Sequence, residues 1–126
     1  MMRNGSMATV ILVAAAAAAI SIAATGDQKV ADEMFDGAYW FHRCCADCHG
    51  PMGEGVSLFG VPLAGDAFVT ASPADAIGYT ITHGRKYQQM VYPAYAGMPK
   101  FQFITGGQLE SLIDYLKGPI QASAKK

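Results

Sequence analysis

The chain has 126 residues, 52% of them hydrophobic and 15% charged, with a formal net charge of −1. This balance suits one small globular domain and excludes a polybasic nucleic-acid binder, which needs a surplus of cations to neutralise phosphates. Apart from an alanine tract near the start, no repeat or low-complexity run is present.

Residues 1–25 differ in composition from the rest. Arg3 supplies a short positive region, Met7 to Ala24 is apolar and alanine-rich, and small residues follow, which is the layout of a secretory signal. Ser21-Ile22-Ala23 and Ala24-Thr25-Gly26 both satisfy the small-x-small rule, so cleavage is expected after Ala23 or after Gly26, leaving about 100 residues. The alternative is a retained N-terminal membrane anchor, since about 18 apolar residues sit at the lower limit for spanning a bilayer. Six consecutive alanines make the segment only weakly lipophilic. Either reading puts the following domain outside the cytoplasm, in the periplasm, where thiols are oxidised or covalently occupied. The expected organisation is a leader or anchor over 1–25, a folded domain over 26–120 and a disordered tail over 121–126.

Val30, Met34, Gly37, Phe41 and Cys44 or Cys45 recur at steps of three and four and predict an amphipathic helix from Val30 to Cys45. Asp27, Asp32, Glu33 and Asp36 load its early turns with charge that favours the helix dipole. Gly37 in mid-helix would cost about 1 kcal/mol relative to alanine, which implies a close approach by another helix there.

Cys45-Ala46-Asp47-Cys48-His49 follows and reads as a c-type haem attachment site. Cysteines three apart on a helical turn present both sulfurs to one side, where two vinyl groups of a porphyrin can be reached, and His49 then faces the iron. In a core of roughly 100 residues a covalently held cofactor of large apolar area would be a substantial structural element. The competing reading is a zinc site from Cys44, Cys45, Cys48 and His49, disfavoured because adjacent cysteines rarely both reach one tetrahedral ion. Cys44 is left over as a small buried residue, a free thiol or half of an intermolecular disulfide.

Gly50 to Gly65 is a Gly/Pro-rich loop, and the carbonyl of Val61 or Pro62 is the candidate acceptor that fixes the His49 ring, with Leu63 packed on it. Ser72-Pro73-Ala74-Asp75 predicts a helix start, with Ile77 and Ile81 one turn apart against the haem and Gly84 closing the helix. His83 at its end is a minor alternative ligand. Arg85 to Phe103 lacks a helical period and is rich in aromatics and proline, as expected of an ordered loop over the distal face. Within it Met98, set between Gly97 and Pro99, is the candidate sixth ligand, with Met90 as its rival. Thr105-Gly106-Gly107-Gln108 reads as a capping box for a last helix with Leu109, Leu112, Ile113 and Leu116 on one face, stopped by Gly118-Pro119. That helix should cross the first at Gly37 and Phe41, with Ile113 or Tyr115 filling the gap.

Taken together, the attachment motif, the Gly60–Gly65 loop and Met98-Pro99 resemble the class I c-type cytochromes over nearly the whole mature chain. The resemblance implies an all-α small cytochrome c fold: crossing N- and C-terminal helices, a short middle helix and long haem-wrapping loops. It also implies one haem c attached through Cys45 and Cys48, iron coordinated by His49 and Met98, and Tyr115 as the aromatic of the terminal helix. Where the family often has proline two residues before the leucine, this chain has Val61. The expected function is electron transfer as a periplasmic carrier between redox proteins: periplasmic dehydrogenases, membrane oxidoreductases, or terminal oxidases or reductases. Alternatives are a haem subunit of a larger oxidoreductase and a haem catalyst or gas sensor with a labile sixth ligand. Arg85, Lys86 and Lys100 are candidate cations for steering an acidic partner. No nucleophile triad or phosphate-binding glycine loop stands out, so the isolated chain is not read as an enzyme.

Overall fold

In the computed structural model, which describes residues 25–86, 89 and 95–125, Asp36 breaks the first helical stretch in two. α1 (Thr25–Met34) ends before it, and α2 (Gly37–Cys44) begins after it. Asp36 is extended, and its side chain accepts from the Ala38 N–H at 2.9 Å. An aspartate that bonds the backbone two residues on competes with helix continuation, which is why the periodic run from Val30 to Cys45 is not one helix. Val30 and Met34 are exposed, and the buried face starts at Gly37 and Phe41. Trp40 Nε1 donates to the Met34 carbonyl at 2.8 Å and ties the end of α1 to α2.

The remaining helices are α3 (Ala46–His49), α4 (Ala67–Ala71), α5 (Ala74–His83), α6 (Gly107–Lys117) and α7 (Pro119–Ser123), with no strand among the described residues. The described residues are thus all-α, as expected. α5 starts one residue later than the Ser72-Pro73 pattern predicts: Pro73 is the extended cap, while Ser72 closes α4 and its carbonyl accepts from Lys117 Nζ at 2.7 Å. The Thr105–Gln108 capping box does not form. Gly106 takes a left-handed φ of 54° as N-cap of α6, which removes Thr105 from the capping position.

α6 is the spine of the core. Leu112, Ile113 and Leu116 are buried together with Phe41 of α2, Ile77 and Ile81 of α5, Val69 of α4, and Ile104. At the α2–α6 crossing, a Cβ on Gly37 would run into the Ser111 carbonyl and Tyr115 Cβ, so the two backbones meet there. The Phe41 and Tyr115 rings close the gap at 5.5 Å between centroids. Ile113 serves the other side, where a Cβ on Gly78 of α5 would lie 3.5 Å from its Cδ1.

The expected disordered tail is corrected as well. Pro119 stops α6 but, having no N–H to leave unpaired, is suited to open α7. Ile120 is only 2% exposed. Gln121 accepts from Gly65 N–H at 2.8 Å and donates to the Leu63 carbonyl at 2.9 Å, fastening α7 to the loop after Val61. Ile120→Ala is expected to cost about 2–5 kcal/mol, seen as a lower urea midpoint of the haem-loaded protein; an unmoved midpoint would mean that α7 adds nothing to the core.

No helix among the described residues is long and apolar enough to cross a membrane. The expected leader up to Ala24, and Tyr87, Met90, Tyr92 and Pro93 of the long loop, lie outside the described residues.

Candidate functional site

The site is built on one turn of helix. Cys45 ends α2 and its carbonyl accepts from both Cys48 N–H, at 3.1 Å, and His49 N–H, at 2.8 Å, so α3 fixes the spacing of the two thiols and the imidazole. Gly50 then reverses the chain with a φ of 81°. The returning loop passes so close to α3 that a Cβ on Gly60 would strike the Cys48 carbonyl and come within 3.1 Å of His49 Nδ1. Glycine is what allows this approach, and the approach delivers the next residue to the histidine: His49 Nδ1 lies 2.8 Å from the Val61 carbonyl. A carbonyl only accepts, so Nδ1 carries the proton and Nε2 keeps its lone pair, the tautomer that can bind a metal. Burial lowers the pKa of His49 from its ordinary value, opposed by the Val61 hydrogen bond and by Asp66, so the ring is held neutral.

Cys44 and Cys45 are held neutral too. Burial, with smaller contributions from Cys44 and Cys48, pushes Cys45 up to about 12, and burial raises Cys44 against the lowering effect of Arg43. No group of three or more His, Cys, Asp or Glu among the described residues is arranged to hold a metal ion, so the zinc reading has no assembled site. Cys44 is half-buried rather than buried and lies on the same wall as its neighbours.

Met98 is brought in from the far part of the chain. Its N–H and carbonyl pair with the carbonyl and N–H of Arg85, both at 3.0 Å, in an isolated antiparallel bridge just past α5. Gly84 makes room for it: a Cβ there would collide with the Met98 carbonyl and lie 2.8 Å from the Pro99 carbonyl carbon. The Leu58 carbonyl accepts from Ala96 N–H at 2.9 Å, joining the loop before Met98 to the loop before Val61.

These elements enclose a mainly apolar cavity of about 220 Å³. Cys45, Cys48, His49, Val61, Leu63, Ile77, Ile81 and Met98 all line it. Pro62 does not, and is corrected as a site residue: it is exposed on the Gly55 side of the loop. Successive residues of an extended run point to opposite sides, so Val61 and Leu63 facing in puts Pro62 out. His83 also stays away. It is exposed, stacked on Tyr79 at 3.8 Å, with Nδ1 3.0 Å from the Tyr79 carbonyl.

Sequence reasoning missed Phe59, Asp66, Phe68 and Val69, all on the wall. Asp66 caps α4 by accepting from Val69 N–H at 3.0 Å. An Asp before a short apolar run was the available signal, but five residues are too few for a period to be read. Arg85, expected at a rim for partner steering, instead reaches the cavity.

The donor set fits an iron porphyrin: two thiols beside a neutral imidazole, a soft thioether carried by a separate loop, and apolar walls. Residues 32–116 match the family model described as cytochrome C oxidase, cbb3-type, subunit III. No curated protein and no solved structure matches the chain.

Proposed function

The chain belongs to the family described as cytochrome C oxidase, cbb3-type, subunit III, and from that premise we propose that it transfers electrons through one haem c, held by thioether bonds from Cys45 and Cys48 and coordinated by His49 and Met98. The observation that carries this reading is the single cavity into which α3 delivers Cys48 and His49 and the Arg85 bridge delivers Met98. When bound, the haem supplies a one-electron iron couple.

The chain's own residues do the rest. Val61 fixes the imidazole plane, Arg85 holds the backbone of Met98, and Ile77, Ile81 and Leu116 keep water from the site. Two protein ligands that stay in place leave no position for substrate and keep reorganisation on electron transfer small. The family's description favours work inside an oxidase complex over free diffusion between partners. The domain then acts outside the cytoplasm, in the periplasm, with residues 1–25 as its export signal or anchor. Exposed Lys86 and Lys100 are suited to steering an acidic redox partner.

The test is haem retention on denaturing gels, with pyridine haemochrome spectra to count thioethers. Cys45→Ala and Cys48→Ala are each expected to lose one thioether, while Cys44→Ser keeps both. Loss of one thioether in Cys44→Ser with both kept in Cys45→Ala would sink the assignment. Co-purification with a membrane oxidase separates the subunit reading from the free carrier.

A further inference from the structure

We propose that Asp66 sets the reduction potential of the site, its carboxylate favouring the ferric iron from the His49 side of the cavity. The proposal rests on the haem reading above. Among the described residues that line the mainly apolar wall, Asp66 alone is acidic. The loop that orients His49 also places it. Val61 presents its carbonyl to His49 Nδ1 at 2.8 Å, Leu63 follows on the wall, and the Leu63 carbonyl accepts from Asp66 N–H at 3.2 Å. The side chain is then fixed by the helix it opens, because Asp66 Oδ1 accepts from Val69 N–H at 3.0 Å. The carboxylate cannot swing into solvent without giving up that cap.

A half-buried charge against apolar walls is screened less than one in water, so it acts across the site. His49 already responds to it: burial lowers the His49 pKa, and Asp66 acts with the Val61 hydrogen bond against that lowering. A charge that favours a positive imidazole also favours the more positive state of an iron bound to that imidazole. Neighbouring acids do not compete. Asp47 on α3 is exposed and does not line the cavity, and Glu54 is exposed with Oε2 accepting from Met52 N–H at 2.8 Å. Arg85 on the same wall carries the opposite charge, so the contribution of Asp66 is read as a difference between variants rather than from the potential itself.

Charge and cap can be separated at this position, because asparagine caps a helix as well as aspartate does, whereas glutamate keeps the charge but is not a preferred cap. In the haem-loaded Asp66→Asn variant the ferrous/ferric equilibrium is expected to move on the order of tenfold toward ferrous, which for one electron raises the potential by about 59 mV. Its urea midpoint and its Met–iron charge-transfer band should stay as in the wild type. Asp66→Ser, which also keeps a cap, should raise the potential in the same way. Asp66→Glu should hold the potential near that of the wild type while its urea midpoint falls. An unmoved or lowered potential in Asp66→Asn overturns the assignment. So does an equal rise in Asp66→Glu, which would make the cap and not the charge responsible, or loss of the charge-transfer band in Asp66→Asn, which would mean that the Met98 loop had moved. A wild-type protein that takes up no haem overturns the functional reading itself, and that outcome is distinguishable from all of these.

Discussion

Replacing Met98 by alanine in the haem-loaded protein is expected to lower the reduction potential by on the order of 0.1–0.3 V, a fraction of the roughly 0.8 V that axial ligation spans. It should also abolish the Met–iron charge-transfer band and let carbon monoxide bind the reduced form. The direction follows from the donor: thioether sulfur is soft and favours ferrous iron, and water in its place does not. The change is confined to the side chain, because Met98 is fixed through its own N–H and carbonyl to Arg85, and Gly84 keeps that bridge close. Truncating a half-buried methionine should cost only about 2 kcal/mol of stability, at the low end for this kind of substitution, so the variant remains folded. Redox titration with and without carbon monoxide reads the outcome. Ready carbon monoxide binding by the unmodified protein would favour catalysis or sensing over electron transfer. Loss of the band in Met90→Ala rather than Met98→Ala would transfer the ligand to the rival residue.

The sequence carried this site well where chemistry is local and poorly where it depends on what a neighbour does. Cys45, Cys48 and His49 are separated by fixed steps along one helical turn, so their arrangement could be read directly, and Ile77 with Ile81 follows from the same spacing rule. Val61 was reached only as one of two carbonyls, because choosing between them requires knowing which way the loop returns. Gly60 decides that by its contact with Cys48, a residue it meets only in three dimensions. Caps misled in a consistent way. Asp36 ended one helix and began another where periodicity ran on, and a left-handed Gly106 cancelled a capping box whose residue types were correct. The tail from Gln121 reads as disordered because its anchors are single groups, the Gln121 amide and the Ser123 hydroxyl, rather than a pattern. Arg85 was legible as a cation but not as an inward-facing one, since its direction is set by Phe68 on a helix too short to be recognised.

Gly37→Ala is expected to destabilise the protein by about 1–3 kcal/mol, out of the typical ~5–15 kcal/mol of a small domain, and Gly37→Val to prevent its accumulation. Helix propensity alone predicts the opposite sign for the alanine variant, since alanine favours helix over glycine by up to about 1 kcal/mol. Sterics win because the new Cβ meets the Ser111 carbonyl and Tyr115 Cβ, atoms that cannot rotate away without moving α6. Gly107→Ala is the control: Gly107 opens α6 as Gly37 opens α2, but its Cβ would meet only the Phe35 ring, at 2.9 Å, and that side chain is 60% exposed and free to swing. That variant should be neutral or slightly stabilised. The loss at Gly37 should also reach the haem, because Cys44 and Cys45 at the end of α2 and Leu116 near the end of α6 share the cavity wall. Urea unfolding of the haem-loaded variants, followed by far-UV circular dichroism and by haem absorbance, measures both effects. Equal midpoints for Gly37→Ala and Gly107→Ala would mean that the crossing tolerates a methyl group and that the close approach of α2 to α6 is not what fixes the frame around the site.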